Sequence, residues 1–500
     1  MPRGALVLSL LFWVPAGAQG PSARDWRAFD EYVARAVREW EAPGLAIAVV
    51  HGRDAVFQRG YGVRALGSSG AVDEHTLFAN ASTTKAFTAM ALAMLVDEGR
   101  LSFDDPVVRW LPGFRLFDPW VTRELRLRDL LSHRVGFGDP GWLWYGRDDD
   151  FETILARLAH VEPATSFRSA YAYNNVTFAT AGVIAGVAAD QSWDQVVRER
   201  ILDPLAMTET ITRGEFVTPG SNIALPHGLV NDTLRALGVL SAADPIPSAG
   251  AMYSSVADMS RWLAFLLDSA RVNGRRLVAP GTFAQMFQPQ TVIRSGQFYP
   301  TSLRTHPHVT AYGLGWFLQD YRGEWIAFHT GSIDGYVAIV GLMPERNVGV
   351  VVFANRDHVE VRHALMWRVF DMYLDGAPRD WSTELHAMYD SLAAVEAALD
   401  STRLAERKHG TVASLDLGSY VGDYTDEAFG TGTVTLDGDH LVWTVSAFLT
   451  ADLEHWHLDT FRTRWRNRWV GDGFLTFRLA QDGTVQGVEI RGIELRRVPR

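Results

Sequence analysis

The chain has 500 residues with 47 basic and 58 acidic side chains, which gives a formal net charge of −11. At roughly 100–200 residues per domain, this length predicts two or three domains. Hydrophobic residues make up 47% of the chain and aromatic residues 11%, a composition that excludes a disordered or coiled-coil protein. The acidic balance argues against nonspecific nucleic-acid binding. The sequence has no Cys, which excludes disulfides, thiolate catalysis and Cys-ligated metal sites.

Residues 1–18 have the pattern of a secretory signal. Arg3 precedes an apolar run at 5–14, and the small residues Ala16-Gly-Ala18 follow it. This order predicts export with cleavage after Ala18. The apolar run has only about half of the roughly 20 residues that a membrane-spanning helix needs. We therefore expect a periplasmic or secreted protein without a stable membrane anchor.

The next predicted elements are a helix and two pairs of strands. Apolar residues recur at helical spacing through 25–40, which predicts an amphipathic helix. A buried strand is expected at 45–50 with a partner near 56–61, and a second pair is expected at 336–342 and 348–354. Helical patterns fill the stretch between the two pairs. This order predicts an α+β domain in which the two ends of the domain complete one antiparallel sheet.

The pattern changes after residue 376. A helix is expected at 361–374 and a second, connecting helix within 377–410. Short alternating runs split by Gly and Asp follow, at 433–436, 441–445, 474–479 and 485–490. They predict an all-β module at 411–500, with the strand spacing of a small barrel. The main domain is expected at 22–376.

Ser82 and Lys85 form the first candidate catalytic pair. They lie three residues apart at the start of a strongly apolar segment, so they share one face of the predicted helix. The positive potential at a helix N-terminus favours an ionised Ser hydroxyl and a bound oxyanion. A Lys close to a dry core has a lowered pKa and acts as a base. The alternative is a helix-capping Ser beside an incidental Lys.

The scarcity of Lys favours the catalytic interpretation. Only two of the 47 basic residues are Lys, namely Lys85 and Lys408, and the others are Arg. Arg does not deprotonate in proteins. A Lys at position 85 therefore indicates chemistry that Arg does not perform.

Two further motifs follow along the chain. Tyr173-Asn174-Asn175 supplies a phenol that transfers a proton if a neighbouring Lys⁺ lowers its pKa, and an amide that orients Lys85. Tyr171 is a rival for the phenol, and a core Tyr beside a helix-capping Asn is the alternative interpretation. The third motif, His329-Thr330-Gly331-Ser332, lies just before the predicted strand at 336–342.

Together these motifs resemble the serine β-lactamase and penicillin-binding-protein superfamily, in particular its class C-like D-aminopeptidase and esterase branch. That family uses Ser-x-x-Lys, Tyr-x-Asn and Lys-or-His-x-Gly, and all three are present here in the family order. The likeness covers about residues 25–375. It implies a β-lactamase/transpeptidase-like fold, with an antiparallel sheet flanked by helices and a helical subdomain. The module at 411–500 resembles the lipocalin-like domain that many of these hydrolases carry.

The resemblance implies a role for each motif residue. Ser82 is expected to be the nucleophile, Lys85 and Tyr173 to transfer the proton, and the N–H groups of Ser82 and Ser332 to form the oxyanion hole. The expected substrate-binding residues are Asn175, His329, Thr330 and Gly331. His329 stands where penicillin-binding proteins and most β-lactamases carry Lys. Since His is largely neutral at pH 7, it would hold a substrate carboxylate less firmly, which favours D-aminopeptidase or esterase activity and leaves β-lactamase activity open.

The predicted function is therefore an exported serine hydrolase that cleaves an amide or ester bond in a small-molecule or peptide substrate. No metal or organic cofactor is needed for this chemistry. A silent binding or sensor protein of the same fold is the alternative. Trp142, Trp144 and Tyr145 are candidates for lining the substrate cleft. The His-x-His pairs at 306–308 and 455–457 lack a convincing third ligand, so they predict no metal site.

Overall fold

The computed structural model describes residues 20–218, 220–238 and 243–499. The signal peptide predicted at 1–18 lies outside these residues. Within the described ranges, no helix has both the length and the hydropathy that crossing a membrane requires.

Helices lie at both ends of the main domain and fill its middle. In the described chain the α-helices are α1 Ala23–Glu39, α2 Thr84–Asp97, α3 Val107–Trp110, α4 Pro119–Glu124, α5 Leu127–Leu130, α6 Phe151–Leu158, α7 Asn175–Ala189, α8 Trp193–Val197, α9 Pro247–Gly250, α10 Val256–Leu267, α11 Pro280–Met286, α12 Ser302–Thr305, α13 Val361–Met372 and α14 Trp381–Ala405. Helix α1 begins with a capping box in which Ser22 and Asp25 each accept a hydrogen bond from the other's backbone N–H, an arrangement that stabilises a helix start.

The main domain is built on one large sheet. The strands of the domain are β1 Gly44–His51, β2 Asp54–Gly62, β3 Phe78–Ala79, β4 His227–Val230, β5 Thr233–Ala236, β6 Tyr253–Ser254, β7 Arg271–Val272, β8 Arg275–Arg276, β9 Thr291–Val292, β10 Thr310–Tyr312, β11 Phe317–Tyr321, β12 Glu324–Ile333, β13 Tyr336–Met343 and β14 Val348–Ala354. The large sheet has the order β2-β1-β14-β13-β12-β11-β10-β9, and its pairs are antiparallel. The domain also has three two-stranded sheets, β3-β6, β4-β5 and β7-β8. Strand β1 pairs with β14, which confirms that the two ends of the domain complete one sheet.

Helices cover both faces of this sheet. Along β1, Ala46 and Ala48 pack into a core shared with α2, α7 and α10. The alternate residues Leu45 and Ile47 pack into a second core with α1 and α13. Successive side chains of a strand point to opposite faces, so a strand buried on both sides needs the unbroken apolar run that β1 has. The predicted fold class is confirmed.

The C-terminal strands close into a barrel. They are β15 Gly422–Asp426, β16 Gly430–Asp437, β17 His440–Thr444, β18 Thr450–His457, β19 Thr460–Trp465, β20 Gly473–Leu479, β21 Val485–Ile490 and β22 Ile493–Arg497. Each strand pairs with the next one, and β22 returns to β15. Trp443 and Trp465 are buried in the barrel core, whereas Trp469 contacts the main domain.

The strand that carries the third motif was missed in the sequence. His329, Thr330, Gly331 and Ser332 lie just before β13, as expected, but the segment that carries them is itself a strand, β12. Polar residues and a Gly interrupt the apolar pattern of β12, and this pattern is the main signal by which a buried strand is recognised.

Candidate active site

Ser82 lies in a tight turn at the start of the buried helix α2. A 3-10 turn at Ala81–Thr83 runs directly into α2, and neither Asn80 nor Thr83 caps it with a side-chain hydrogen bond. Ala81 has a φ of +45°, a left-handed conformation that an L-residue keeps only when its surroundings enforce it. Ser82 is thus not the N-cap of α2, and its side chain is free to contact the residues of the other motifs.

Lys85 is buried beneath Ser82. Its Nζ donates hydrogen bonds to Ser82 Oγ at 3.0 Å, Asn175 Oδ1 at 2.6 Å and the Ala249 carbonyl at 2.8 Å. The side chain is 0% exposed, and burial lowers the pKa of Lys85 to about 7, while the charge of Asp139 acts in the opposite direction. A substantial fraction of Lys85 is therefore neutral near pH 7 and able to accept a proton.

Tyr173 contacts the nucleophile from another side. Its hydroxyl lies 2.7 Å from Ser82 Oγ, and Lys85 Nζ lies 4.9 Å from the centre of its ring. The rival Tyr171 instead packs against Tyr312 and Phe317. Burial raises the pKa of Tyr173 well above its usual value. The condition that a neighbouring Lys⁺ lowers this pKa is therefore not met, because burial has the largest effect, and Tyr173 is a protonated phenol at neutral pH.

Asn175 joins Lys85 to a residue that the sequence analysis missed. While its Oδ1 accepts from Lys85, its Nδ2 donates to Asp139 Oδ2 at 2.5 Å and its backbone N to Asp139 Oδ1 at 3.3 Å. Trp144 Nε1 also donates to Asp139 Oδ1, at 3.4 Å. Asp139 thereby fixes which end of the Asn175 amide faces Lys85. The Gly138-Asp139-Pro140 sequence gave a turn signal only.

Strand β12 packs directly against the Ser82 turn. A Cβ atom at Gly331 would lie 2.3 Å from the Asn80 carbonyl oxygen and 2.9 Å from the Ser82 backbone N. Only Gly allows this approach. It brings the backbone around Ser332, which is exposed at the end of the strand, next to that of Ser82.

A buried ion pair contacts this part of β12. The Arg362 guanidinium donates to the Gly331 carbonyl and, at 2.9 Å, to Ser332 Oγ. It also pairs with Glu360 at 2.9 Å. Burial alone would raise the pKa of the Glu360 carboxyl, yet Arg362 and His363 hold it below its usual value. A charge-assisted network of this kind fixes backbone geometry, so Arg362 positions the residues expected to form the oxyanion hole.

His329 and Thr330 are bonded within the protein. His329 is 1% exposed, and its ring nitrogens lie 2.8 Å from the Tyr312 hydroxyl and 2.6 Å from the Thr330 carbonyl. Thr330 Oγ1 bonds the Tyr299 hydroxyl. Burial, together with the charges of Lys85 and Arg362, lowers the pKa of His329 to about 3. His329 is therefore neutral at physiological pH.

The barrel packs against the loop that follows Asp139. Ser446 Oγ donates to the Gly146 carbonyl at 2.5 Å, and a Cβ atom at Gly146 would collide with the Phe448 ring at 2.4 Å. Trp142 packs against the barrel core, and Tyr145 contacts the Phe448 ring. Of the aromatic residues predicted to line the cleft, Trp142 and Tyr145 therefore contact the barrel, and Trp144 contacts Asp139.

The described chain brings Ser82, Lys85, Tyr173 and Asn175 into one hydrogen-bonded cluster beside β12. The roles assigned to these residues, to Ser332 and to His329, Thr330 and Gly331 stay predictions. Among the residues that the structure describes, no group of three or more His, Asp or Glu side chains is arranged to hold a metal ion.

The sequence identifies the family to which this arrangement belongs. Residues 29–370 match the β-lactamase family, and since the match covers more than half of the chain, the chain belongs to that family. Residues 406–497 match a family described as a domain of unknown function, DUF3471.

Two named proteins are similar to this chain over much of its length. An unguisins hydrolase (ungD') of Aspergillus campestris (strain IBT 28561) is 29% identical over 431 residues, which are 82% of this chain and 77% of that protein. Protein flp of Staphylococcus aureus (strain NCTC 8325 / PS 47) is 25% identical over 338 residues, 65% of this chain and 62% of that protein. The chain is thus a β-lactamase-fold protein of hydrolase type.

Solved structures share the fold over nearly the whole chain. The octameric penicillin-binding protein homologue from Pyrococcus abyssi superposes with a TM-score of 0.61 and 19% identity, covering 94% of this chain and 99% of that chain. SurE, solved with D-Leu, gives a TM-score of 0.56 and 18% identity, covering 95% and 100%. These likenesses support a penicillin-binding-protein-type fold.

Proposed function

We propose that this chain is an exported serine hydrolase that cleaves an amide or ester bond through an acyl-enzyme on Ser82. The observation that carries the proposal is the contact of one hydroxyl with two proton-transfer groups. Ser82 Oγ lies 3.0 Å from Lys85 Nζ and 2.7 Å from the Tyr173 hydroxyl. Such an arrangement supports the assignment of Ser82 as an activated nucleophile.

The pKa values favour different roles for Lys85 and Tyr173. Lys85, with a pKa of about 7, is the stronger candidate for the base that takes the proton from Ser82 Oγ as this atom attacks the carbonyl carbon. Tyr173, whose pKa is raised, is the candidate for the acid that protonates the leaving group. Water then attacks the acyl-enzyme and releases the acid product. The N–H groups of Ser82 and Ser332 would bind the oxyanion, an interaction worth about 3–4 kcal/mol per donor.

The neutral His329 supports a substrate without an anchoring carboxylate. A buried imidazole with a pKa of about 3 offers no fixed positive charge. This favours D-aminopeptidase or esterase activity within the proposed class, with β-lactamase-like activity as the less favoured form. The name of the fungal relative, a hydrolase, agrees with the proposed reaction type.

The intact mass of the mature protein tests this proposal. The protein and its Ser82→Ala variant are each exposed to a 4-nitrophenyl ester, a D-alanyl amide and a penicillin. We expect a mass increase or product release with at least one reagent, absent in the variant. Failure of the wild-type protein to react with all three would favour the silent binding protein. Export is tested separately by locating the full-length chain after expression with residues 1–18 intact or deleted.

A further inference from the structure

Asp334 is a buried carboxylate at the end of the strand that carries the third motif. It follows Ile333, the last residue of β12, and lies two residues beyond Ser332. It is 7% exposed and has a φ of +25°. At about 3.3 Å per residue, Asp334 lies roughly 7 Å along the chain from the expected oxyanion hole.

Only one of the two Asp334 oxygens has a partner. Oδ1 accepts hydrogen bonds from the Tyr145 hydroxyl at 2.7 Å and from Trp469 Nε1, on the barrel, at 2.8 Å. Oδ2 is buried and makes no hydrogen bond to any described residue. No Lys, Arg or His among those residues forms a salt bridge with Asp334, whereas the ion pairs of other buried carboxylates, such as Asp129 and Asp258, are present.

An unpaired buried carboxylate is unfavourable, because water no longer solvates its charge. Burial raises the pKa of Asp334, and the nearby charge of Asp357 acts in the same direction. Each of these effects is relieved when a cation contacts Oδ2. The unpaired oxygen is therefore suited to accept a hydrogen bond from a cation.

The rings around Asp334 also favour a cation. Tyr145 packs edge-on against Phe448 of the barrel, with 5.6 Å between ring centres, and against Trp144 at 5.8 Å. Aromatic faces attract ammonium groups. Arg491 of the barrel is exposed, and its guanidinium lies 4.9 Å from the Trp142 ring.

One loop connects this carboxylate to the catalytic residues. Trp144 donates to Asp139, which holds Asn175 against Lys85. The adjacent residue Tyr145 donates to Asp334. A substrate bound between this loop and β12 would therefore contact the catalytic residues at one end and Asp334 at the other.

We propose that Asp334 binds a primary ammonium group of the substrate, and that the barrel completes this subsite through Trp469. The inference rests on the proposed function, because it names the substrate class of the same site. The barrel is then part of substrate recognition. The ligand is a positively charged amine carried on the acyl group, at a distance of a few bonds from the scissile carbonyl.

Isosteric ester pairs test the proposal. We would measure kcat/KM for the 4-nitrophenyl esters of glycine and propanoic acid, and of 6-aminohexanoic and heptanoic acid. Within each pair the substrates differ only by an ammonium in place of a methyl group. For each pair, kcat/KM of the ammonium ester divided by kcat/KM of the methyl ester gives the ammonium preference. The preference of the wild-type protein is then divided by the preference of Asp334→Asn, which cancels the intrinsic reactivity of each ester.

For at least one pair, we expect the ammonium preference to fall about ten- to hundredfold in Asp334→Asn, the effect of losing one charged hydrogen bond. Asn keeps an acceptor for Tyr145 and Trp469, and thermal unfolding verifies that the variant folds. Asp148→Asn is the matched control, since Asp148 is exposed near the same loop, and it should retain the wild-type ratio. An unchanged ratio in Asp334→Asn for both pairs would overturn the proposal.

A binding measurement separates this inference from the proposed function. If the wild-type protein hydrolyses no ester and gains no acyl mass, the proposed function fails. Calorimetry with glycinamide and 6-aminohexanamide on Ser82→Ala and on the Ser82→Ala/Asp334→Asn double variant then decides the inference alone. At least tenfold weaker binding of one amide to the double variant supports the ammonium site, and equal or absent binding to both proteins overturns it.

Discussion

The carboxylates at the two ends of the proposed substrate cleft differ in how their oxygens are hydrogen-bonded. Both oxygens of Asp139 accept hydrogen bonds from Asn175, although burial raises the pKa of this carboxyl. Asp334 is buried, yet its Oδ2 has no partner in the described chain. Under the proposal above, the catalytic end is organised before substrate arrives, whereas the substrate ammonium completes the far end.

The largest effect is expected from the base at the organised end. Lys85→Arg should lower kcat by at least about 10³-fold, because Arg does not accept a proton. Steady-state kinetics with the reactive ester from the mass experiment measures this loss. The melting temperature of Lys85→Arg verifies that this variant folds. An Arg variant with a near-native rate would contradict the proton-transfer role.

A smaller loss is expected from the neighbouring acid. Tyr173→Phe keeps the ring beside Lys85 and removes only the hydroxyl that contacts Ser82, so kcat should fall by about 10²-fold. Tyr171→Phe is the matched control, because Tyr171 makes ring contacts in the same cluster. Burst kinetics on both variants measures acylation directly. Equal losses in the two variants would place the effect in packing and not in proton transfer.

Asp139→Asn should change the pH dependence at the organised end. Neutral Lys85 is the base, so activity is present above its pKa of about 7 and is lost as the pH falls through this value. The Asp139 charge raises the Lys85 pKa, and its removal should move the acid limb to lower pH. The plateau rate should also fall about tenfold, from a lost hydrogen bond of about 1.5 kcal/mol.

Profiles of kcat/KM against pH measure this shift. Asp148→Asn removes the same charge from an exposed position nearby and should keep the wild-type limb. A limb that stays in place or moves to higher pH in Asp139→Asn would show that Asp139 does not act on Lys85 through its charge.

The smallest effect concerns the contact between the barrel and Asp334. Trp469→Phe keeps an aromatic ring but removes the Nε1–H that donates to Oδ1, so the free energy of unfolding should fall by about 1 kcal/mol. Calorimetric melting of Trp469→Phe, Asp334→Asn and the double variant gives the coupling between the two residues. Strictly additive changes would show that this hydrogen bond does not join the barrel to the main domain.

The sequence predicted the scaffold of the site more completely than its surroundings. The strand predicted at 348–354 coincides with β14, and the strand predicted at 485–490 coincides with β21, because strong apolar patterns indicate buried strands directly. Strand β12 was missed because Thr330, Gly331 and Ser332 break its pattern. Gly331 is required by the close approach to Ser82, so a functional constraint weakened the local signal.

The sequence by itself determined the family, the fold class and the cluster of Ser82, Lys85, Tyr173 and Asn175, because motifs and hydrophobic periodicity are local properties. The tertiary structure alone decided the pKa shifts of the residues in the site. Burial makes His329 neutral and raises the pKa of Tyr173. The contact between the main domain and the barrel, which joins residues 135 positions apart, creates the Asp334 environment. Solvation depends on all neighbours in space, so chain order does not encode it locally.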